Sequence, residues 1–227
     1  MKEAFKVAFP RTIPIFAAYL FLGISYGLFA INEGLPAYYP VLMSIVIYAG
    51  SMEFVTIRLL LSIFSPLTAF LLTLMVNARH LFYGLAMLPP FKSLGWEKYW
   101  VIFGLGDESF AIHTSLDIPA HIERRWVYFH VTWLNQCYWF IGTLTGVLLG
   151  KYIPFDTTGI EFVLSALFLV NLLEQLLRQR QYFAIAVGIL SGISSLLFFG
   201  AKQFMLPAML GMLIIFSIDY WRKGGQL

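Results

Sequence analysis

Charged residues are scarce in this chain of 227 residues. They make up 12% of the sequence and hydrophobic residues make up 59%, whereas soluble domains have about 25% and about 45–50%. This balance excludes a soluble enzyme. The formal net charge of +3 is small, and its basic residues fall mostly at the ends of apolar segments. The chain therefore has no basic face for nucleic acid.

Cysteine and the common catalytic motifs are also nearly absent. The single Cys137 lies within an apolar stretch, so neither a disulfide framework nor a cysteine-based metal site can form. The sequence has no P-loop and no Gly-x-Gly-x-x-Gly, Gly-x-Ser-x-Gly or His-Glu-x-x-His pattern, which leaves no motif for an ATPase, a hydrolase or a protease. His113, Asp117 and His121 recur every four residues, but Pro119 interrupts them. We predict no metal and no other cofactor.

What the sequence does have is a succession of apolar runs close to the length of one membrane crossing. A helical crossing takes about 20 residues, so the chain has room for about eight crossings and for no separate soluble domain. We predict an all-helical bundle in the lipid bilayer, with some helices broken at Gly or Ser, and a single domain over residues 1–227. The predicted crossings are 13–31, 40–64, 66–88, 99–116, 126–149, 160–177, 182–199 and 203–221.

Lys and Arg residues predict the orientation of these crossings. Nine lie on the side of the N-terminus: Lys2, Lys6, Arg11, Arg124, Arg125, Arg178, Arg180, Arg222 and Lys223. Four lie on the other side: Lys92, Lys98, Lys151 and Lys202. This bias favours cytoplasmic termini and a multi-pass protein of the plasma membrane. The loop 117–125 is then cytoplasmic, and the connection 89–98 lies on the opposite side.

Five ionisable side chains fall inside the apolar runs, namely Glu53, Arg58, Arg79, Asp107 and Glu108. Each costs about 2.5–3.5 kcal/mol near the middle of a bilayer, so the chain should hold them for a reason. Pairing would nearly neutralise them but leaves one acid over, which could bind a proton or the amine of a substrate. The alternative is that they form buried ion pairs that fix the packing of the helices.

All three acids in this group lie shortly after a glycine. Glu53 comes after Gly50 and Ser51, and Gly-Ser steps are where membrane helices bend or unwind, although small residues also allow close packing. Asp107 and Glu108 directly follow a Gly-x-Gly step and point in different directions on a helix. Half-helix ends at such breaks coordinate ammonium or carboxylate groups in many carriers.

A further polar group ends the third apolar run. Asn77 and His80 share a helical face, which could line a cavity. Arg79 points elsewhere, and arginine is suited to holding a carboxylate with two parallel hydrogen bonds. The alternatives are that Arg79 extends toward lipid head groups and that His80 is a hydrogen-bonded structural histidine.

Together these groups predict a membrane transporter or channel in which Glu53, Arg79 and one acid of the Asp107–Glu108 pair surround one cavity near the middle of the bilayer. Arg79 would face the carboxylate of the substrate, and an acid would face its ammonium group. Two other interpretations stay open: an intramembrane enzyme that uses Asp107, Glu108 and His80, and a structural subunit of another membrane complex. The predicted substrate-binding residues are Gly50, Ser51, Glu53, Asn77, Arg79, His80, Asp107 and Glu108.

Glycine pairs and tryptophans give two further expectations. Gly23-x-x-x-Gly27 and Gly142-x-x-x-Gly146 are close-packing sequences, which more often join helices within one bundle than make dimers. The six tryptophans, Trp139 among them, predict a belt at the membrane interface.

Three motifs, taken in order, resemble those of one family. The runs Tyr-Ala-Gly-Ser-Met-Glu-Phe at 48–54, Asn-Ala-Arg-His-Leu-Phe-Tyr-Gly at 77–84 and Asp-Glu-Ser-Phe-Ala at 107–111 resemble the AzlC-type large subunit of branched-chain amino acid exporters. The resemblance implies a bacterial inner-membrane permease without enzymatic activity. It would export valine, leucine or isoleucine, with methionine as a further candidate. Its implied partner is a small hydrophobic membrane subunit of the AzlD type.

Overall fold

The computed structural model describes residues 1–63, 65–77, 79–152, 182–200 and 204–222, together with residues 162, 169, 173 and 176. The helices in this part of the chain are α1 (Lys2–Asn32), α2 (Tyr38–Val46), α3 (Ser51–Leu61), α4 (Pro66–Asn77), α5 (Arg79–Phe91), α6 (Glu97–Phe103), α7 (Asp107–Ser115), α8 (Arg124–Tyr152), α9 (Tyr182–Phe199) and α10 (Met205–Arg222). The predicted all-helical fold is confirmed. The chain forms two compact units, Met1–Val163 and Leu164–Leu227, and the single domain stays a prediction.

Glycines bring the two longest helices, α1 and α8, into backbone contact. A methyl group at Gly23 would lie 2.8 Å from the backbone nitrogen of Thr143. Gly27, Gly142 and Gly146 face the neighbouring backbone just as closely, so that any side chain there would collide with it. The prediction that these glycines join helices within one bundle is confirmed.

The contacts at both ends of this pair show that α1 and α8 run in the same direction. Near their starts, the rings of Phe5 and His130 pack edge to face, 5.6 Å apart. Near their ends, Ile31 packs over Gly150. The end at which both helices begin, here named the basic end, carries Lys2, Lys6, Arg124 and Arg125. The N-terminus and the loop 117–125 therefore share one end, as predicted.

The segment predicted to cross at 40–64 folds back as a hairpin. α2 leaves the end of α1 and runs toward the middle of α8, where the Gln136 amide donates to the carbonyl of Ile45 at 3.1 Å. α3 then returns toward the end of α1, because the Arg58 guanidinium lies 5.9 Å from the ring of Phe29. This first hairpin, α2–α3, thus enters and leaves at the end opposite the basic end.

The segment predicted to cross at 99–116 is a second hairpin, α6–α7, which enters from the basic end. The start of α6 lies there, since Glu97 Oε1 is 3.9 Å from Arg125 Nη1. The start of α7 lies near the middle of α8, where the Asn135 amide donates to Ser109 Oγ at 3.1 Å. α7 then returns to the basic end and joins an apolar cluster of Ala4, Ala8, Ile112, Val127 and Val131.

The prediction that these two segments cross the membrane is wrong because, after a backbone break, the second half of each returns to the end at which the first half entered. The first hairpin turns at Tyr48 and Gly50, whose φ angles of 45° and 32° are left-handed. The second turns at Gly104–Gly106. Each leg has 7 to 11 residues, too few for a crossing that takes about 20 residues. The predicted breaks at Gly and Ser are confirmed.

The connection 89–98 lies at the basic end and not, as predicted, on the opposite side. Phe91, the last residue of α5, packs 6.1 Å from the ring of Tyr128 in the second turn of α8. Trp96, just before α6, packs 5.9 Å from Phe129. Each hairpin replaces one predicted crossing. Because two crossings are lost, the start of α8 still lies on the predicted side.

The third predicted segment, 66–88, is bent. Pro66–Leu74 and Arg79–Phe91 meet at 53°. By length and hydropathy, the described residues contain two helices that could each cross a membrane, α1 and α9, and a third crossing if this bent pair counts as one.

The second unit contains the antiparallel pair α9 and α10. The rings of Phe183 and Phe216 pack 6.2 Å apart, and Ser195 Oγ donates to the carbonyl of Phe204 at 2.5 Å. These helices correspond to the crossings predicted at 182–199 and 203–221. The crossing predicted at 160–177 lies outside the described residues, apart from the four single positions.

The glycine contact predicts opposite effects for two Gly→Ala substitutions. In Gly27→Ala the new methyl group meets the backbone of α8, and we expect a loss of about 1–3 kcal/mol in the free energy of unfolding. A methyl group at Gly192 would have no described atom within 4 Å outside the adjoining backbone of its own helix, so Gly192→Ala should leave stability unchanged or raise it by up to about 1 kcal/mol. Thermal unfolding in one detergent measures both. Equal melting temperatures would contradict the packing.

The second hairpin predicts which positions face the same side of the membrane. In a Cys137→Ala background, Ser93→Cys and Ser115→Cys should react from one side, and Glu33→Cys should react from the other. A membrane-impermeant maleimide, applied to intact cells and to inverted vesicles, measures this. Reaction of Ser93→Cys and Glu33→Cys from the same side would show that residues 97–115 cross the membrane.

Candidate functional site

The tips of the two hairpins meet near the middles of α1 and α8. The ring of Tyr48, at the tip of α2–α3, lies 6.3 Å from the ring of Phe103. A methyl group at Gly104 would lie 3.5 Å from Cε1 of Tyr48. A methyl group at Gly106 would lie 3.9 Å from the hydroxyl of Tyr19 on α1. Both backbone breaks, and the acids that follow them, are thus brought to one level of the bundle.

Glu53 is the most enclosed of the sequence-predicted residues, with 0% of its surface exposed. Trp139 Nε1 donates to its two carboxylate oxygens at 3.1 and 3.3 Å, and the N–H of Ala49 donates to Oε1 at 3.0 Å. The bond from Ala49 satisfies a backbone donor at the break before α3, as an acid in the first turn of a helix commonly does. Glu53 is therefore held by an indole and a backbone amide, and no described Lys or Arg forms an ion pair with it.

Trp139 connects Glu53 to the aromatic residues of α1. Its ring stacks on Tyr26 at 5.8 Å and meets Tyr19 edge to face at 5.6 Å. Only 3% of Trp139 is exposed, so the prediction that it belongs to an interfacial belt is wrong. A tryptophan in mid-helix can be buried because its N–H has the Glu53 carboxylate as a partner.

Glu108 is the second acid at the hairpin tips. The Tyr19 hydroxyl donates to its Oε2 atom at 2.7 Å. Tyr19 therefore contacts Glu108 through its hydroxyl and Trp139 through its ring, and Trp139 in turn binds Glu53. Like Glu53, Glu108 has no ion pair with a described basic residue. Two aromatic side chains thus join two acids that lack a cationic partner in this part of the chain.

Asp107 turns away from its neighbour and pairs with α5. Arg79 Nη2 lies 2.8 Å from Asp107 Oδ2, and the Tyr83 hydroxyl donates to Oδ1 at 2.8 Å. About a third of the Arg79 side chain is exposed. The guanidinium thus already holds a carboxylate of the protein, which is the ion pair left open by the sequence.

The remaining predicted residues lie at helix ends. Gly50 immediately precedes α3 and Ser51 is its first residue. Asn77 ends α4, and His80 Nδ1 contacts the carbonyl of Asn77 at 3.1 Å. Because the chain bends between α4 and α5, Asn77 and His80 do not share the continuous helical face that the sequence predicted.

The site predicted from the sequence does not include the polar face of α8. Besides the bonds made by Asn135 and Gln136, Thr132 Oγ1 lies 3.4 Å from Nε2 of His113. Two adjacent amide residues inside an apolar span were the available signal, because polar groups are costly there. This face contacts both hairpins close to their tips.

The arrangement is suited to binding a cationic group. Glu53 and Glu108 provide carboxylate oxygens without a basic partner among the described residues, and each accepts a hydrogen bond from an aromatic side chain, Glu53 from Trp139 and Glu108 from Tyr19. Within the described residues, no group of three His, Cys, Asp or Glu side chains could hold a metal ion. An ammonium group or a proton fits this chemistry, because either would offset the charge of a buried carboxylate.

The indole bond to Glu53 predicts a difference between two tryptophans of α8. Trp139→Phe keeps an aromatic ring but removes the donor, and we expect a loss of about 1–3 kcal/mol in the free energy of unfolding. Trp133→Phe is the matched control, because 44% of Trp133 is exposed and its indole makes no hydrogen bond to a described residue. Thermal unfolding in detergent compares them. A Trp139→Phe protein as stable as the control would refute the bond.

Comparison with known proteins gives a consistent result. Residues 14–153 match the profile of a family described as AzlC protein. The chain is 46% identical to a Bacillus subtilis protein named branched-chain amino acid transport protein AzlC, over 95% of this chain and 85% of that protein. It is 37% identical to an uncharacterized membrane protein of Haemophilus influenzae, over 95% and 89%. It is 28% identical to the inner membrane protein YgaZ of Escherichia coli, over 81% and 78%. No solved structure is significantly similar.

Proposed function

Because the chain belongs to the AzlC family, we propose that it is a membrane transporter of branched-chain amino acids and not an enzyme. The name of the Bacillus subtilis relative, which is 46% identical over 95% of this chain, supports this substrate class. The segment that matches the family includes both hairpins and the acids Glu53 and Glu108.

We further propose that transport is export, and that the chain is the large subunit beside a small AzlD-type membrane subunit in the bacterial plasma membrane. The basic end would face the cytoplasm, because positively charged loops are retained there. The hairpin geometry supports this orientation. The connection that contains Lys92 and Lys98, which the sequence assigned to the opposite side, lies at the basic end and adds two positive charges to it.

The observation that carries the proposal is the meeting of two acid-bearing hairpin tips. The ammonium group of an amino acid would bind at Glu53 or Glu108, where no described Lys or Arg supplies a positive charge. Its carboxylate would bind Arg79, which would exchange Asp107 for the substrate. Discrimination among side chains would rest on apolar packing, in which one methylene is worth about 1–3 kcal/mol, so related amino acids should compete.

The direct experiment is counterflow of labelled leucine in proteoliposomes that contain the chain and an AzlD-type subunit. We expect unlabelled valine, isoleucine and methionine to compete and lysine not to compete. Omitting the small subunit tests the two-component arrangement. Exchange that ignores all branched-chain amino acids would contradict the proposed substrate class.

Glu53 is the proposed coupling residue. Glu53→Gln keeps the shape and the hydrogen-bonding capacity of the side chain but removes its titratable proton. We expect leucine counterflow to persist, while export loses its dependence on pH. Glu33→Gln is the matched control, because Glu33 is exposed in the turn after α1. Transport is measured at several pH values on both sides of the vesicle. Export by Glu53→Gln that still follows the pH gradient would rule out proton coupling through this residue.

A further inference from the structure

We propose that Tyr48 is a substrate-contacting positioning residue that closes the space between the two hairpin tips. The inference rests on the proposed transport function and deepens it, since it assigns a role to a residue outside the predicted site. Three observations carry it: the backbone at Tyr48, the place of its ring and the surroundings of its hydroxyl.

The backbone at Tyr48 is disfavoured for its side chain. Its φ angle of 45° is left-handed, and within the described residues it is the one non-glycine residue with a positive φ. Large side chains avoid this region because Cβ approaches the backbone too closely. Gly50, two residues on, adopts a similar φ without penalty. A tyrosine at this position therefore points to a use for its side chain, as backbone outliers in binding sites commonly do.

The ring of Tyr48 reaches across to the other hairpin. It lies against Phe103 and Gly104, at the point where α6 ends. Gly104 leaves the room for this contact, because a methyl group there would collide with Thr132 of α8 and touch the Tyr48 ring. The hairpin from one end of the bundle thus meets the hairpin from the other end through this ring.

The hydroxyl of Tyr48 is buried and has no hydrogen-bond partner in the described part of the chain. The hydroxyl of Tyr19 lies beside it, but donates its hydrogen to Glu108. At the same level of α8, Asn135 is 0% exposed, and its Oδ1 atom is also without a partner. Because buried polar groups are costly when unpaired, these two groups point to a ligand that supplies both a donor and an acceptor.

An α-amino acid has both. Its ammonium group would bind an acid and donate to Asn135 Oδ1. Its carboxylate has two oxygens, so that one could bind Arg79, as proposed above, and the other could accept a hydrogen bond from the Tyr48 hydroxyl. Since the hairpins enter from opposite ends, withdrawal of one tip from Tyr48 would open the site toward one end only. The Tyr48 ring would contact both the substrate and the tip of the second hairpin. Bound substrate would therefore favour the closed state, in which the two tips touch, and opening of the site would depend on whether substrate is bound.

Two substitutions test the hydroxyl of Tyr48 and its backbone conformation separately. Tyr48→Phe removes only the hydroxyl. In proteoliposomes with the AzlD-type subunit, we expect the leucine concentration for half-maximal counterflow to rise about tenfold, with a similar maximal rate. Tyr38→Phe is the matched control, because Tyr38 lies on the same hairpin and is 58% exposed. It should behave like the unsubstituted protein.

Tyr48→Gly removes the ring but suits the left-handed backbone. We expect it to melt at or above the temperature of the unsubstituted protein, while counterflow is lost and preloaded leucine leaks without exchange. A residue with only a structural role would show the reverse, with lower stability and a sealed vesicle.

The proposal is overturned if Tyr48→Phe matches the Tyr38→Phe control in half-saturation, or if Tyr48→Gly exchanges leucine normally without a leak. Either result, obtained beside an unsubstituted protein that exchanges leucine, leaves the proposed transport function intact. An unsubstituted protein that exchanges no branched-chain amino acid overturns the proposed function and this inference together.

Discussion

The close parallel contact between α1 and α8 is the constraint on which the site depends. Lipid tails are as apolar as leucine, so helices in a membrane gain most from close van der Waals contact over small residues. Gly23, Gly27 and the facing glycines of α8 allow the two backbones to touch. This contact fixes the register in which Tyr19 meets Trp139. The separation of the two acids that these aromatic residues bind is therefore set by glycines that make no contact with either acid.

Breaking a helix inside a membrane frees backbone groups that lipid cannot satisfy, and the protein must then provide partners. The carboxylate of Glu53 accepts the N–H of Ala49, and the Gln136 amide donates to the carbonyl of Ile45. The same polar side chains that could bind a substrate thus also support the breaks. Satisfying the backbone does not neutralise charge, however. Its described partners, the N–H of Ala49 and the indole of Trp139, are both uncharged, so the buried acid can still bind an ammonium group or a proton.

The count of acidic and basic residues inside the apolar runs predicted part of their ion pairing. It predicted that pairing would leave one acid over; the structure pairs Arg79 with Asp107 and leaves two acids, Glu53 and Glu108, without an ion pair to a described basic residue. Adjacent acids were expected to point in different directions, and Glu108 does turn to α1 while Asp107 turns to α5. The sequence did not indicate that Tyr19 and Trp139 bind the acids, because residues 86 to 89 positions apart come into contact only through packing.

By itself, the sequence determined the properties that arise locally: the membrane class from composition, the breaks near Gly50 and Gly104–Gly106 from backbone freedom, and the shared side of the N-terminus and the start of α8 from their basic residues. Only the tertiary structure decided whether a broken apolar segment crosses or folds back. A crossing and a hairpin have the same composition and the same central glycine, and they differ only in the contacts that the second half makes. Those contacts, of Arg58 with Phe29 and of Ile112 with the apolar cluster that contains Ala4 and Ala8, join positions far apart in the chain. The meeting of the two hairpin tips is a result of that long-range packing.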